Sequence, residues 1–288
     1  MKELNLFIEL IRLKKPIGFM LLFWPCAWGL TIAYNFENNL NLYFFYLLLF
    51  FLGSVLMRSA GCIVNDIFDK DFDKEVLRTK NRPIASGKIS RKIAIIYSCV
   101  LCFLALLVLL NFNYFTIVLA LGSMPLAFTY PLMKRFTYWP QLFLGITFNY
   151  GLILGWTAIY GQIDLIPIIF YLGAIFWTLG YDTIYGYQDI KDDEVIGLKS
   201  TSIKFKNKAK QFLFCCYSIF AITLILIGYK MNFKNIYYFF LIIPIFHIFF
   251  YQIKIFNPNN PSVCLKIFKS NNVLGLMILT SVLIGKII

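Results

Sequence analysis

Acidic side chains are scarce in this sequence of 288 residues, which has 14 aspartates and glutamates against 27 lysines and arginines. It has one histidine, and its seven cysteines lack the paired spacing of a metal site. Charged residues are 14% of the chain, whereas hydrophobic residues are 60% and aromatic residues 19%. This composition excludes a water-soluble globular protein, and we interpret the cysteines as small hydrophobic residues.

Long apolar runs are abundant instead, and they indicate an all-α integral membrane protein. Nine runs are long enough to cross a bilayer, at about residues 16–34, 40–65, 93–111, 114–131, 141–160, 165–188, 211–229, 235–253 and 272–288. Residues 1–15 are expected to form an amphipathic surface helix, and no cleavable signal peptide is predicted. We expect one domain over residues 1–288, with nine transmembrane helices around a central cavity.

The basic residues are distributed unevenly between the two ends of these helices. All lysines and arginines except Arg58, Lys230, Lys234 and Lys286 fall in segments that share one side of the membrane with the N-terminus. This positive-inside pattern predicts that the N-terminus and the loops at residues 66–92 and 189–210 are cytoplasmic. The net charge of +13 is therefore interpreted as a signal of orientation, and no nucleic-acid partner is predicted.

Ten of the 14 acidic residues fall in two clusters: Asp66, Asp69, Asp71, Asp73 and Glu75, and then Asp182, Asp189, Asp192, Asp193 and Glu194. In the first cluster, Asn65, Asp69 and Asp73 are spaced by four residues and Asp66 precedes Asp69 by three, so these side chains share one helical face. Asp71 projects to the other side and is left out. In the second cluster, Asp182, Asp189 and Asp193 follow the same helical spacing.

Both faces have the chemistry of a magnesium site. Carboxylates that converge on one point repel one another unless a cation lies between them, and ligands that are all oxygen suit a hard ion such as Mg²⁺. Acidic side chains within or at the edge of a membrane are usually functional. We therefore predict Mg²⁺ as the cofactor, although helix-terminal acids that balance neighbouring lysines are the alternative.

Basic side chains accompany the two acidic clusters. Arg58 lies within an apolar run two turns before Asn65, where an arginine is costly without a partner. Arg12 precedes the first run, and Lys134 and Arg135 lie in a short loop between the clusters. Metal ions can bridge carboxylates to phosphates while Arg and Lys bind the remaining oxygens, so this combination resembles a diphosphate-binding site. A solvated basic loop stays open as the alternative.

Several strings of the sequence resemble the signatures of the UbiA-type membrane prenyltransferases. The first signature is similar to residues 57–73 (MRSAGCIVNDIFDKDFD), 78–83 (RTKNRP) and 86–88 (SGK), and later ones to residues 130–135 (YPLMKR), 181–185 (YDTIY), 189–193 (DIKDD) and 196–201 (IGLKST). The resemblance covers nearly the whole chain. Within this superfamily, the strings are most similar to those of the 4-hydroxybenzoate polyprenyltransferases.

The resemblance implies a reaction, its substrates and a location. A polyprenyl group would pass from polyprenyl diphosphate to the ring carbon ortho to the hydroxyl of 4-hydroxybenzoate, with release of diphosphate, as a step of ubiquinone biosynthesis. The enzyme would lie in the lipid bilayer of a bacterial inner membrane, with its active site facing the cytoplasm. It would use Mg²⁺ to stabilise the departing diphosphate.

The resemblance also implies roles for individual residues. The metal ligands would be Asn65, Asp66, Asp69, Asp73, Asp182, Asp189 and Asp193, and the catalytic residues Asp69, Asp73, Asp189, Asp193 and Arg135. The substrate-binding residues would be Arg12, Arg58, Arg78, Lys80, Arg82, Tyr130, Lys134, Arg135, Tyr185 and Lys199. Arg135 is the candidate for holding either the benzoate carboxylate or the diphosphate.

Two rival interpretations remain at the level of the sequence. A sister prenyltransferase would act on another aromatic acceptor, such as a naphthoate, homogentisate or haem. A cation transporter could also carry acids in its helices, but transporters tend to place them near the middle of the bilayer. The acids of this chain are predicted to lie at one cytoplasmic end among basic residues, which favours the enzyme.

Overall fold

The computed structural model describes residues 2–37, 39–76 and 79–288, and this part of the chain is helical without any strand. The α-helices are α1 (Lys2–Leu10), α2 (Ile17–Ala33), α3 (Leu40–Phe68), α4 (Lys70–Glu75), α5 (Arg91–Leu109), α6 (Tyr114–Gly122), α7 (Met124–Thr129), α8 (Met133–Phe136), α9 (Pro140–Tyr160), α10 (Leu165–Gly186), α11 (Ile190–Ile196), α12 (Thr201–Lys204), α13 (Ala209–Lys230), α14 (Asn235–Phe246) and α15 (Pro261–Ile287). Short 3₁₀ turns at Tyr130–Leu132 and Lys206–Lys208 and a π-helical segment at His247–Ile253 complete the described part.

Eight helical segments of the described chain are long and apolar enough to cross a membrane: Leu40–Phe68, Arg91–Leu109, Tyr114–Phe136, Pro140–Tyr160, Leu165–Gly186, Lys206–Lys230, Asn235–Ile253 and Pro261–Ile287. They correspond to the last eight of the nine predicted runs. The first run corresponds to α2, which is apolar but has only 17 residues. The prediction of an all-α integral membrane protein is confirmed.

Helix α2 packs closely against α9 through small residues. A Cβ atom added to Gly29 would lie 2.0 Å from the backbone oxygen of Leu152, and one added to Gly155 would lie 2.4 Å from the backbone oxygen of Cys26. Only glycine allows two helix backbones to approach to this distance.

The segment Tyr114–Phe136 is broken into short pieces by its prolines. Pro125 lies in the first turn of α7, and Pro131 lies in the 3₁₀ turn that follows. Because proline lacks an N–H donor and its ring clashes with the preceding turn, a regular helix does not continue through these positions. Beyond these breaks, Lys134 and Arg135 contact residues at the end of α3.

A buried polar network fixes α10 against its neighbours. Asn271 of α15 accepts hydrogen bonds from the indole N–H of Trp177 at 2.8 Å and from the amide of Gln252 at 3.1 Å. The hydroxyl of Tyr217 donates to Gln252 at 2.7 Å. Gln252 lies in the π-helical segment, where His247 also contacts it at 3.4 Å. Since these groups satisfy one another within the helix bundle, the network holds the helix whose end carries Asp182.

Within residues 1–15, the segment predicted to form a surface helix, the structure has α1, which ends at Leu10. Leu10 is fully buried against α3 and α5, and the ring of Phe7 meets that of Tyr97 at 5.0 Å. Residues after Leu10 form turns, in which Arg12 has a left-handed backbone with φ of 55°. A non-glycine residue rarely adopts this conformation, so packing of α1 fixes an unusual backbone at a candidate site residue.

Candidate active site

The first acidic face is preserved across the end of α3. The helix ends at Phe68 and α4 begins at Lys70, but the N–H of Asp69 still donates to Asn65 at 2.9 Å. The N–H of Asp73 donates to Asp69 at 2.8 Å. These bonds keep the helical register through the turn at Asp69. Asn65, Asp69 and Asp73 therefore remain on one face, as the spacing predicts.

The carboxylates of this face are buried and contacted by basic side chains. Asp66 is 2% exposed and Asp73 7% exposed. Arg82 donates to Asp66 at 3.1 Å and to the two oxygens of Asp73 at 3.0 and 2.8 Å. Arg12 donates to the same oxygen of Asp66. Burial raises the pKa of Asp73 above its ordinary value and the neighbouring carboxylates act in the same direction, whereas Arg82 acts to lower it.

Asp69 has one oxygen that is bound and one that is not. Its Oδ2 accepts from the ammonium of Lys134 at 2.5 Å and from the amide of Asn65 at 3.1 Å. Its Oδ1 is buried without a hydrogen-bond partner, and the nearest guanidinium nitrogen of Arg135 lies 3.7 Å away. Arg135 itself donates to the carbonyl of Phe68 at 2.7 Å. A buried carboxylate oxygen that lacks a donor is a ready ligand for a cation.

The donor set of the first face fits a hard divalent cation. The ligand types are carboxylate oxygens and one amide, and the Asp69 oxygen without a donor points to a missing positive partner. Among the described residues, no three acidic, histidine or cysteine side chains converge into a ready-made metal cage. Lys134 contacts the other oxygen of Asp69, and Arg82 contacts the carboxylate of Asp73, so basic side chains already neutralise part of the charge of this face.

The second acidic stretch lies at the same end of the molecule as the first. Arg12 is near enough to Asp66, Asp73 and Tyr185 for their charges to favour its protonated form, and its pKa is raised although burial acts in the opposite direction. The N–H of Lys199 donates to the carbonyl of Lys134 at 2.8 Å. Residues more than a hundred positions apart thus meet at one end of the bundle.

Asp189 and Asp193 are half-buried in this region. Asp189 precedes α11, and the carbonyl of Asp193 accepts from the N–H of Leu198 at 2.9 Å. Helix α11 ends at Ile196, and the next residue, Gly197, has a φ of 79°, the left-handed conformation that glycine adopts without strain. This turn leads the chain from the second acids directly to Lys199 and its contact with Lys134.

Arg58 lies deeper, between the carboxylates and the membrane interior. Asp182 of α10 and Tyr130 are close enough to interact with its charge. The guanidinium also lies 5.7 Å from the centre of the Phe148 ring, while its Nε is buried without a hydrogen-bond partner. Arg58 therefore has an acidic neighbour, Asp182, on another helix and an aromatic neighbour, Phe148. Such partners offset the free-energy cost of placing an arginine within an apolar helix.

An apolar cavity of about 220 Å³ begins at Arg58 and Tyr130. It extends between α2, α3, α5, α6, α7 and α9 to the other end of α5, where Leu109 and Phe112 line it. Most of its lining is hydrocarbon, so it offers a favourable environment to an apolar chain and little to water. A polar site therefore opens directly into an apolar cavity inside the bundle.

Two of the predicted binding residues, Lys199 and Lys80, have other surroundings. The ammonium of Lys199 donates to the carbonyl of Phe136 at 3.3 Å and lies over the ring of Tyr138, so only its backbone contacts the site. Lys80 is exposed. Arg78 lies outside the described residues. Asp71 is exposed and pairs with Lys74 at 3.5 Å and Arg91 at 3.3 Å, in agreement with its exclusion from the site.

The sequence analysis missed the lining of the cavity. Phe50, Ser54 and Arg58 of α3 line it at steps of four residues, and Gly61 continues the same face toward Asn65. This face of α3 could have predicted the cavity, because small and apolar residues extend from the acids along one side of the helix. Phe148, which faces Arg58 from α9, had no such signal.

Comparison with known proteins identifies the class to which this fold and site belong. The profile of the UbiA prenyltransferase family matches residues 22–277, and the chain belongs to this family. It is 42% identical over 291 residues to the mitochondrial 4-hydroxybenzoate polyprenyltransferases of Bos taurus and Homo sapiens, covering 99% of this chain and 76% of each relative. The resemblance found in the sequence motifs is thereby confirmed.

Solved structures share the fold at lower sequence identity. The apo structure of a UbiA homolog from Aeropyrum pernix K1 matches with a TM-score of 0.77 and 21% identity, over 93% of this chain and 98% of that one. The structure of a UbiA homolog from Archaeoglobus fulgidus bound to GPP and Mg²⁺ matches with a TM-score of 0.72 and 18% identity, over 98% of this chain and 100% of that one.

Proposed function

We propose that this protein transfers a polyprenyl group from polyprenyl diphosphate to the ring carbon of 4-hydroxybenzoate ortho to its hydroxyl, and releases diphosphate, in ubiquinone biosynthesis. The observation that carries the proposal is 42% identity over 99% of the chain to relatives named for this activity. A buried cluster of acids and bases at the mouth of an apolar cavity supports it, because the substrate is itself a charged headgroup on a hydrocarbon chain.

The proposal includes Mg²⁺ bound by Asn65, Asp66, Asp69, Asp73, Asp182, Asp189 and Asp193. Mg²⁺ bound there would neutralise charge on the diphosphate and so make it a better leaving group. The oxygen of Asp69 without a hydrogen-bond donor supports a cation at this position. The homolog structure bound to GPP and Mg²⁺ supports the same combination in the family.

The basic residues around the carboxylates would bind the diphosphate oxygens. Arg82, Lys134 and Arg12 each contact an acid of the first face, so a short movement of each side chain would redirect it to a phosphate. Arg135 lies 3.7 Å from Asp69 and at the carboxylate end of the site, which favours the diphosphate over the benzoate carboxylate as its ligand.

The polyprenyl chain would lie in the apolar cavity, with its reactive end near Arg58 and Tyr130. The cavity walls would exclude water from the allylic cation that forms when the carbon–oxygen bond breaks, and thus prevent hydrolysis. Tyr185 is a further candidate for this junction, since it lies close to both Arg12 and Arg58. The ring of 4-hydroxybenzoate would meet the reactive carbon there.

The proposed topology has a cytoplasmic N-terminus and nine spans, namely the eight longer helical segments and α2. At 17 residues α2 is at the lower limit for crossing a bilayer, and its position among longer spans supports a transmembrane course. The whole chain would form one domain, with residues 66–92 and 189–210 as active-site loops. The relatives named above are mitochondrial, and location in a bacterial inner membrane stays a prediction.

The activity can be tested by incubating membranes that contain the protein with labelled 4-hydroxybenzoate, a polyprenyl diphosphate and Mg²⁺. We expect a labelled prenylated product together with released diphosphate, and neither after chelation of the metal. Parallel reactions with a naphthoate, homogentisate or haem test the sister activities. Product with one of these acceptors and none with 4-hydroxybenzoate would contradict the assignment.

A further inference from the structure

A cationic and aromatic surface lies beside the carboxylate end of the molecule. We call it the aromatic-lysine corner and define it by Phe136, Tyr138, Trp139, Lys204, Phe205, Lys206, Lys208 and Lys210. The four lysines are exposed, and they alternate along the chain immediately before and at the start of α13. No residue of this corner has been given a role in the proposed reaction.

The rings of the corner are arranged as at a membrane interface. The ammonium of Lys204 lies 4.4 Å from the centre of the Trp139 ring, which is 5.7 Å from that of Phe205. Phe136 is 71% exposed and Tyr138 43% exposed. Large exposed rings beside cationic side chains are typical of the headgroup level of a bilayer, where one part of each side chain is apolar and the other is wet.

The corner carries more positive than negative charge. Lys206 forms an ion pair with Glu194 at 2.6 Å, and this is the one ion pair that the described residues make on this surface. Lys204, Lys208 and Lys210 add positive charge to it. The candidate membrane span Lys206–Lys230 begins within the same run of lysines, and its length and composition predict that these charges lie at the membrane boundary.

Hydrogen bonds from the backbone hold this surface against the rest of the protein. The N–H of Thr201 donates to the side chain of Gln141 at 3.0 Å, and the N–H of Lys199 donates to the carbonyl of Lys134 at 2.8 Å. The lysine-bearing segment is therefore fixed to the start of α9, which Trp139 directly precedes. A surface that is ordered before binding loses little conformational entropy when a ligand arrives.

We propose that the aromatic-lysine corner binds the headgroup of an anionic phospholipid of the surrounding bilayer. The lipid phosphate would contact the ammonium groups of Lys204 and Lys208, and the rings of Tyr138 and Trp139 would lie beside the glycerol and upper acyl chain. A lipid reaches this surface by diffusion within the membrane, because the chain enters the bilayer next to it. This favours a lipid over a soluble acidic partner.

The test uses the full chain in nanodiscs that contain equal parts of phosphatidylglycerol and phosphatidylcholine. Bromine is placed near the headgroup end of the acyl chains of one lipid or the other, because brominated lipids quench indole fluorescence on contact. The fluorescence of Trp139 is obtained as the difference between the unmodified chain and Trp139→Phe. We expect brominated phosphatidylglycerol to quench Trp139 more strongly than brominated phosphatidylcholine.

The lysines are tested by a double variant, Lys204→Gln with Lys208→Gln, in which the two lipids are expected to quench Trp139 equally. The matched control is Lys230→Gln with Lys234→Gln, which removes the same charge at the other end of α13. That helix has 22 residues, about 33 Å at 1.5 Å per residue, so the control lies on the opposite side of the membrane.

Three results would overturn the proposal: equal quenching by the two lipids in the unmodified chain, a preference that persists in Lys204→Gln with Lys208→Gln, or the same loss in the control. Far-ultraviolet circular dichroism verifies that each variant keeps its helix content. If the double variant loses helix, Lys208→Gln alone replaces it, because this change keeps Lys204 over the Trp139 ring. A smaller preference for brominated phosphatidylglycerol than in the unmodified chain is then the expected result, and an unchanged preference would overturn the proposal.

Discussion

Asp69 and Asp71 are two residues apart and have opposite environments. Asp69 is 2% exposed and contacts Lys134 and Asn65, whereas Asp71 is exposed and pairs with surface bases. The difference arises because side chains two apart on a helix project about 200° from each other. The two residues therefore form a site position and a matched surface control within one short segment.

We expect Asp69→Asn to lower turnover by at least about 100-fold, because a neutral amide replaces a proposed metal ligand. Asp71→Asn should keep a rate close to that of the unmodified protein. Labelled product is measured in membranes with equal amounts of inserted protein. A near-normal rate for Asp69→Asn, or equal losses of turnover in the two variants, would contradict the assignment of Asp69 to the active site.

Arg135→Gln should raise the Michaelis constant for the polyprenyl diphosphate by roughly tenfold or more, since a hydrogen bond to a charged group contributes about 1.5–3 kcal/mol. The Michaelis constant for 4-hydroxybenzoate should change little. Arg91→Gln, which removes a surface arginine, serves as the control. If the constant for 4-hydroxybenzoate rises instead, Arg135 holds the carboxylate of the acceptor.

At the scale of the helix, α2 is the shortest of the candidate spans and one of the most buried elements. Its contact with α9 depends on glycines, since an added Cβ at Gly155 would meet the backbone of Cys26 at 2.4 Å. Backbone atoms of a packed helix cannot move aside as a flexible side chain can. Small residues thus fix the distance between the two helices that form one wall of the cavity.

Gly155→Ala is therefore expected to lower the thermal unfolding midpoint in detergent, because overpacking of this kind costs about 1–3 kcal/mol. Gly53→Ala is the control, as nothing lies within 4 Å of a Cβ added at that position of α3. The unfolding midpoints of the two variants and the unmodified protein are compared in samples that have equal helix content. If both variants unfold at the temperature of the unmodified protein, the result would contradict the close packing of α2 against α9.

Helix positions followed closely from the sequence, but breaks and turns did not. The apolar run at 93–111 corresponds to α5 at Arg91–Leu109, because helical spans are set by the length of uninterrupted hydrocarbon. The run at 114–131 is instead divided at Ser123 and Pro131. Proline indicates that a helix is interrupted, whereas the direction of the chain afterwards depends on packing against α3 and α9.

At the scale of the whole molecule, the two acidic stretches and their basic partners lie at one end of the bundle. Arg12 lies near Asp66 and Tyr185, and Lys199 contacts Lys134, which contacts Asp69. The other end of α13 carries Lys230 and the exposed turn at Asn232. This polarity, together with the positive-inside pattern, supports one cytoplasmic face for the whole active site.

The orientation can be measured by cysteine labelling. The seven native cysteines are replaced by alanine, and Ser86→Cys, Asn207→Cys or Asn232→Cys is introduced singly at an exposed position. With a membrane-impermeant thiol reagent on sealed vesicles of known sidedness, we expect Ser86→Cys and Asn207→Cys to react from the cytoplasmic side. Asn232→Cys should react only from the opposite side, and labelling of all three from one side would contradict the proposed topology.

The sequence by itself determined the membrane class, the apolar helical segments and the shared face of Asn65, Asp69 and Asp73. These properties follow from hydrophobicity and from 3.6 residues per turn, both of which are local. Tertiary structure alone decided that Arg12 pairs with Asp66, that Lys134 pairs with Asp69, and that Arg58 faces Phe148 at the mouth of a cavity. Such contacts join positions 54 or more apart, so they depend on how whole helices pack, which no local spacing encodes.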